Sequence, residues 1–245
     1  MSRWFSVGSY DIAVSYTHLT LPIQSGDLKP GDQIETEKQL SEKFDIGRLT
    51  VNKALINLAQ EGYIERTAGK GSFVLPRMVT KSISQGGSFT DDMASVGMKA
   101  GSQLIEYKVY KATDVPEVAE YLELADDELI HYFVRLRTGD GEPIALSYTY
   151  ISAKIVPAIN VKALEGSLTE YLHSVGVYRG GALHKMSAHL PSESQKKLLG
   201  VGNVALLLNE HITYDEQRHP YEYIKTYYIS SQYAYTFRTG FLAER

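Results

Sequence analysis

The stretch Thr36-Glu37-Lys38-Gln39-Leu40-Ser41-Glu42-Lys43-Phe44-Asp45-Ile46-Gly47-Arg48-Leu49-Thr50-Val51-Asn52-Lys53-Ala54-Leu55-Ile56-Asn57-Leu58 decides how the first part of the chain folds. Thr36 followed three residues later by Gln39 is a capping box, and Leu40 and Phe44 repeat at i, i+4, which predicts a helix over about 37–44. Asp45-Ile46-Gly47 breaks it. Val51, Ala54, Leu55 and Leu58 then repeat at i, i+3, i+4, i+7 until Gly62, so a second helix starts at Arg48 with one face committed to a core. Tyr63 to Arg66 and Ser72 to Leu75 flank the turn Thr67-Ala68-Gly69-Lys70-Gly71 and predict a two-stranded hairpin. A helix, a tight turn, a helix and a hairpin make a winged helix-turn-helix, in which the N-terminal residues of the second helix meet base edges in the major groove.

That geometry assigns DNA contacts residue by residue. With Val51, Ala54, Leu55 and Leu58 turned inward, Arg48, Leu49, Thr50, Asn52 and Lys53 are left for DNA. Arg48 suits a bidentate contact with guanine, while Lys38 and Lys53 suit phosphates. Lys70 lies between Gly69 and Gly71, a wing tip whose backbone passes close to DNA and carries one cation toward the minor groove. The net charge of -4 does not oppose this reading. Arg48, Lys53, Arg66, Lys70 and Arg77 face only Glu61 and Glu65 over residues 48–77, a local excess of +3 on an otherwise acidic chain.

Working outward, residues 76–87 hold Pro76, Ser82, Ser84, Gly86 and Gly87 and predict a linker between a first domain at 1–75 and a second at 88–240. In the second, strands are expected at 103–111, 129–138, 143–152, 180–190, 204–214 and 220–230, with helices near 91–96, 116–123, 167–174 and 192–199. Turns at Thr138 to Glu142 and at Asp215 to Pro220 join strand pairs as hairpins, so the sheet is expected to be largely antiparallel and the class α+β. Arg135 and Arg137 stand two apart on one strand. Their guanidinium groups therefore leave the same face and converge on one anion, unless that face is solvated and balanced by carboxylates. Thr90 at the mouth of the 91–96 helix adds free N–H groups that favour an anion.

Composition narrows the function classes. The 245 residues contain no cysteine, which removes disulfides, cysteine-bound zinc and thiol nucleophiles. No apolar run approaches a membrane span and the start lacks a secretory pattern, so a cytoplasmic protein with no membrane partner is expected. The seven histidines form no metal motif, and neither a glycine-rich phosphate loop nor a GxSxG elbow is present. No catalytic residue, metal or cofactor is assigned, and an enzyme built on the second domain is the alternative from another class.

The string Ser25-Gly26, Leu28, Pro30-Gly31-Asp32, Thr36-Glu37, Leu40, Phe44, Arg48, Thr50-Val51, Lys53-Ala54-Leu55, Leu58, Glu61-Gly62, Arg66 and Gly69 to Val74 resembles the GntR winged helix-turn-helix. Relatives usually have Gly and a Ser or Asn where this chain has Asp45 and Gly47. Residues from about 88 to 240 resemble the UTRA effector domain of the HutC subfamily, similar in fold to chorismate lyase, on Ser88 to Met93 with Gly97, Arg135-Leu136-Arg137, Gly141 to Ile144, Ser167-Leu168, Tyr214 to Pro220, Glu222 and Tyr228. One winged domain presents few base contacts, so a homodimer on a roughly palindromic double-stranded operator is expected. The resemblance implies a transcriptional regulator, with a repressor expected and an activator as the alternative, that binds a small anionic effector such as a sugar phosphate. It further implies that Thr90, Arg135, Arg137 and Ser167 hold a phosphate, and that Phe89, Glu222 and Tyr228 lie around the sugar. Ser147 stands where amino-sugar-phosphate sensors tend to have Glu, so N-acetylglucosamine 6-phosphate is one candidate among several.

The N-terminus departs from the family. An amphipathic helix is expected up to Ser25-Gly26, yet Pro22 interrupts it and Tyr10 to Leu21 reads as extended. Asp11 to Pro22 resembles translated sequencing adapter, so either residues 1–22 are non-native or Trp4 and Phe5 remain from a genuine first helix, and few contacts are expected for residues 1 to about 20.

Overall fold

The computed structural model describes residues 19–23, 27–60, 62–75, 78–83, 86–237 and 239. The chain divides into two compact units, Met1–Met78 and Val79–Arg245.

In the first unit, helix α1 is described over residues 19–23. It is followed by β1 (Gln33–Ile34), α2 (Glu37–Phe44), α3 (Arg48–Gln60), β2 (Ile64–Thr67) and β3 (Gly71–Val74). The capping box forms at α2: Gln39 N–H donates to Thr36 Oγ1 at 3.3 Å and Thr36 N–H to Gln39 Oε1 at 2.9 Å. Asp45 ends the helix at φ 53°, with its N–H donating to the Ser41 carbonyl. Asp tolerates this left-handed conformation better than most residues, so it does the work of a C-cap glycine. Leu40, Val51, Leu55, Leu58, Ile64 and Val74 close one core, and the strands form an antiparallel sheet in the order β1-β3-β2.

That core also contains Leu19 and Ile23. The expectation of an extended, weakly packed segment is corrected for its last residues: 19–23 are helical, and the i, i+4 spacing of Leu19 and Ile23 puts both on the buried face. Residues 1–18, where the rest of that expectation falls, lie outside the described residues.

The second unit runs β4 (Val79–Ser82), α4 (Phe89–Ser95), β5 (Ala100–Lys111), α5 (Pro116–Tyr121), β6 (Leu129–Gly139), β7 (Glu142–Ser152), α6 (Leu168–Ser174), β8 (Arg179–His189), α7 (Glu193–Leu199), β9 (Leu206–Asp215), β10 (Pro220–Ile229) and β11 (Tyr233–Thr236). Strands β5-β6-β7-β10-β9-β8 form one six-stranded sheet with every neighbour antiparallel. Asp140 and Gly141, both at positive φ, make the two-residue turn of the β6–β7 hairpin. The stretch expected as a linker contains a strand. Val79–Ser82 pairs in parallel with Tyr233–Thr236, and Val79 is fully buried against Met93, Tyr228 and Tyr233.

Strand alternation divides the large sheet. Ile130, Tyr132, Val134, Leu146 and Tyr223 join cores that include Leu122 of the turn after α5 and Leu199 of α7. The opposite face presents Arg135, Arg137, Ser147, Glu222, Thr226 and Tyr228, and all of these residues line one cavity.

Candidate DNA interface and effector cavity

In the first unit, α3 sends Val51, Ala54, Leu55 and Leu58 into the core. Arg48, Leu49 and Lys53 are exposed at its start, with Leu49 at 80%. Thr50 is half-buried in the same turn. Asn52 is less free than the sequence suggested. Its Oδ1 accepts from Arg66 Nη1 at 2.9 Å, while Arg66 Nη2 pairs with Glu37 at 2.7 Å. A side-chain brace thus ties β2 to both helices, leaving Asn52 its amide donors. Lys38 lies within 3.9 Å of Glu42 on the exposed face of α2. At the wing tip Gln33 Nε2 donates to the Lys70 carbonyl at 2.9 Å, and Gly69 and Gly71 take φ of 75° and 121°. A Cβ at Gly71 would collide with Gln33. The glycine is favoured for its backbone conformation, while the Gln33 side chain it meets is exposed and can move.

The cavity in the second unit has a volume of about 580 Å³, within the range of small-molecule sites. Phe89, Arg135, Arg137, Ser147, Ser167, Glu222 and Tyr228 line it. Thr90 does not. It occupies the first turn of α4, where a capping box forms: Ser88 Oγ accepts from Asp91 N–H at 3.2 Å and Asp91 Oδ2 accepts from Ser88 N–H at 2.8 Å.

Arg135 and Arg137 are 3% and 5% exposed. Arg135 Nη1 reaches the Leu164 carbonyl at a long 3.5 Å, and the Arg137 guanidinium stacks over Phe89 at 4.4 Å. The Nε atoms of both are buried without a hydrogen-bond partner, and neither arginine pairs with a carboxylate among the described residues. Burial, with the neighbouring Arg137 charge, holds the Arg135 guanidinium well below its usual range, and burial pushes Arg137 down to about 10. Arginine does not lose its proton in proteins, so both side chains are cations. The nearby carboxylates are otherwise engaged. Asp92 accepts from Lys81 Nζ at 2.9 Å and from Tyr233 Oη at 2.6 Å, and Glu222 accepts from Thr213 Oγ1 at 2.8 Å. Burial pushes the Glu222 carboxyl up, offset in part by Thr213 and Arg135. Ser147 Oγ lies 3.1 Å from Thr226 Oγ1, a pair of neutral hydroxyls beside Arg135 on the sheet.

Lys81, Asp92, His184, Asn209 and His211 also line the cavity and were not singled out from sequence. Cross-strand register brings His184 and His211 together, and no spacing along the chain reveals it.

Comparison with known proteins covers both units. The model of bacterial regulatory proteins of the gntR family matches residues 15–74, and that of the UTRA domain matches residues 95–234. The HTH-type transcriptional repressor NagR of Bacillus subtilis (strain 168) is 28% identical over 221 residues, 89% of each chain. The mannosyl-D-glycerate transport/metabolism system repressor MngR of Escherichia coli (strain K12) is 24% identical, covering 77% of this chain and 78% of its own. The crystal structure of PhnF from Mycobacterium smegmatis superimposes with a TM-score of 0.75 at 22% identity, covering 92% of this chain and 99% of that one, which speaks to the fold. With the UTRA match alone spanning more than half of its length, the chain belongs to the GntR family of bacterial transcriptional regulators, in the HutC-like group that joins a helix-turn-helix domain to a UTRA domain.

Proposed function

We propose that this regulator is a repressor whose operator affinity is set by a small anionic metabolite of the sugar-phosphate class, bound between Arg135 and Arg137. The observation that carries the reading is the pair of buried guanidinium groups with unpartnered Nε atoms and no carboxylate paired to either. Burying a cation without its counter-charge costs several kcal/mol, roughly, and an anion supplied from solution removes that cost. Phosphate offers the bidentate geometry that two guanidinium groups match. Ser167 and Ser147 add hydroxyl donors, and Phe89, Glu222 and Tyr228 form the wall around the rest of the ligand. Repression is supported by the relatives NagR and MngR, both of which are repressors. DNA contact is assigned to Arg48, Thr50, Lys53, the amide of Asn52, Lys38 and the Gly69-Lys70-Gly71 wing. A homodimer on a two-fold operator supplies the base contacts that one such unit lacks.

The test is thermal denaturation of the protein with sugar phosphates and with the same sugars lacking phosphate. A binder of the native state raises the melting temperature. Stabilisation by phosphorylated compounds only is expected, and equal stabilisation by the neutral sugars would contradict the anionic reading.

A further inference from the structure

The wall of the cavity built by β8 and β9 contains a second polar cluster. Register pairs His184 with His211, and the two rings lie 4.7 Å apart between centroids at an interplanar angle of 30°. The hydrogen bonds of His184 are fully assigned. Its Nε2 lies 3.3 Å from Arg179 Nη2 and its Nδ1 lies 3.0 Å from Asn209 Oδ1, while Asn209 Nδ2 donates to Tyr235 Oη at 2.8 Å. A guanidinium donates and never accepts, so Nε2 is the acceptor and the proton sits on Nδ1, aimed at the amide oxygen. His184 is therefore a neutral ring locked in one tautomer.

His211 is different. It lines the cavity, makes no hydrogen bond to any described residue, and its Nδ1 is buried without a partner. A buried polar atom left in this state is costly. The cavity is much larger than a phosphate ion, and Arg135 on β6 is separated from His211 on β9 by β7 and β10. Three strand spacings amount to about 14 Å between the backbones.

We propose that His211, backed by the locked ring of His184, is a subsite for an uncharged hydroxyl or amide group, so that the effector is two-ended: anionic at Arg135 and Arg137, hydroxylated where it reaches β9. The inference rests on the anionic reading of the arginine pair and adds the chemistry of the other end. A neutral imidazole donates through one nitrogen and accepts through the other, and a hydroxyl group can meet whichever of the two faces it. Burial, together with the charges of Arg179 and Lys81, lowers the proton affinity of both imidazoles. A second carboxylate or phosphate at this end only accepts, so it can meet the protonated nitrogen alone.

The experiment is isothermal titration calorimetry of the full chain at pH 7.5 with inorganic phosphate, 3-phosphoglycerate, glycerol 3-phosphate, glucose 6-phosphate and N-acetylglucosamine 6-phosphate. His211→Phe keeps a ring against His184 and removes both nitrogens, whereas His211→Gln keeps a donor and an acceptor. At least one of the hydroxylated phosphates is expected to bind the parent more tightly than inorganic phosphate. His211→Phe should cut that preference tenfold or more and leave phosphate affinity within twofold, and His211→Gln should retain most of it. The subsite is overturned if hydroxylated phosphates gain nothing over phosphate, or if His211→Phe keeps the preference. Should the parent bind none of these compounds, phosphate included, the arginine reading itself fails and takes this inference with it.

Discussion

On the proposed reading, Arg137 trades stability of the unliganded molecule for ligand binding. Its charge is buried, its Nε is unpartnered, and it lowers the affinity of its neighbour Arg135 for a proton by repulsion. Replacing buried charge by an apolar side chain of similar reach is often stabilising. Arg137→Met should therefore raise the unfolding free energy of the ligand-free protein by about 1 kcal/mol or more in urea denaturation, while removing stabilisation by phosphorylated ligands. A loss of stability instead would mean that the stack on Phe89 outweighs the buried charge. His211 gives a pH dependence of definite sign. Burial and the neighbouring His184, Arg179 and Lys81 hold its imidazole well below the ordinary 6.5. The unfolded chain therefore takes up a proton that the folded state refuses, and the stability contributed above pH 6.5 is lost as the pH falls below it. Denaturation between pH 7.5 and 5 should show this fall, and His211→Phe should make it shallower. The arginine pair was legible because i, i+2 on a strand fixes a shared face. The histidine pair was not, because it depends on how β8 registers against β9.

At the scale of elements, patterns confined to one segment were readable and pairings between distant segments were not. The Thr36–Gln39 box, the α3 apolar stripe and the Asp140-Gly141 turn each act within a few residues, and the six strands of the large sheet announce themselves by length and by their turns. Strands β4 and β11 are four residues each and pair across most of the second unit, so nothing local marks them, and glycines and a proline nearby suggested a linker. Helix α1 was misread for a similar reason. Pro22 masked the short spacing of Leu19 and Ile23, whose partners lie far along the chain. Because Leu19 is buried in the first core, Leu19→Ala should cost about 2–3 kcal/mol of stability, and a change under a few tenths in denaturant titration would restore the view of a weakly packed segment. The wing depends on Gly71 through its positive φ. Gly71→Ala should weaken DNA binding through a displaced wing and leave calorimetric ligand binding unchanged. Loss of both would point to general misfolding.

At the scale of the whole molecule, regulation of operator affinity by an effector requires that two units with separate cores share one equilibrium. The chain enters the second unit through β4, where Lys81 both lines the cavity and pairs with Asp92 of α4, so the cavity wall includes the first strand of that unit. Linkage makes the effect reciprocal: a ligand that binds the DNA-competent state less tightly weakens operator affinity, and operator weakens ligand affinity by the same factor. Couplings of about 1 to 3 kcal/mol correspond to roughly 5- to 150-fold in affinity. The measurement that tests this most directly is a titration of an operator duplex, selected from random sequence by the parent protein, with and without a saturating sugar phosphate that stabilises the parent. The parent should lose at least fivefold in operator affinity when the ligand is present, and Arg135→Ala/Arg137→Ala should bind the operator as the ligand-free parent does and ignore the ligand. A double variant that responds to the ligand as the parent does would contradict the claim that the buried arginine pair is the sensor.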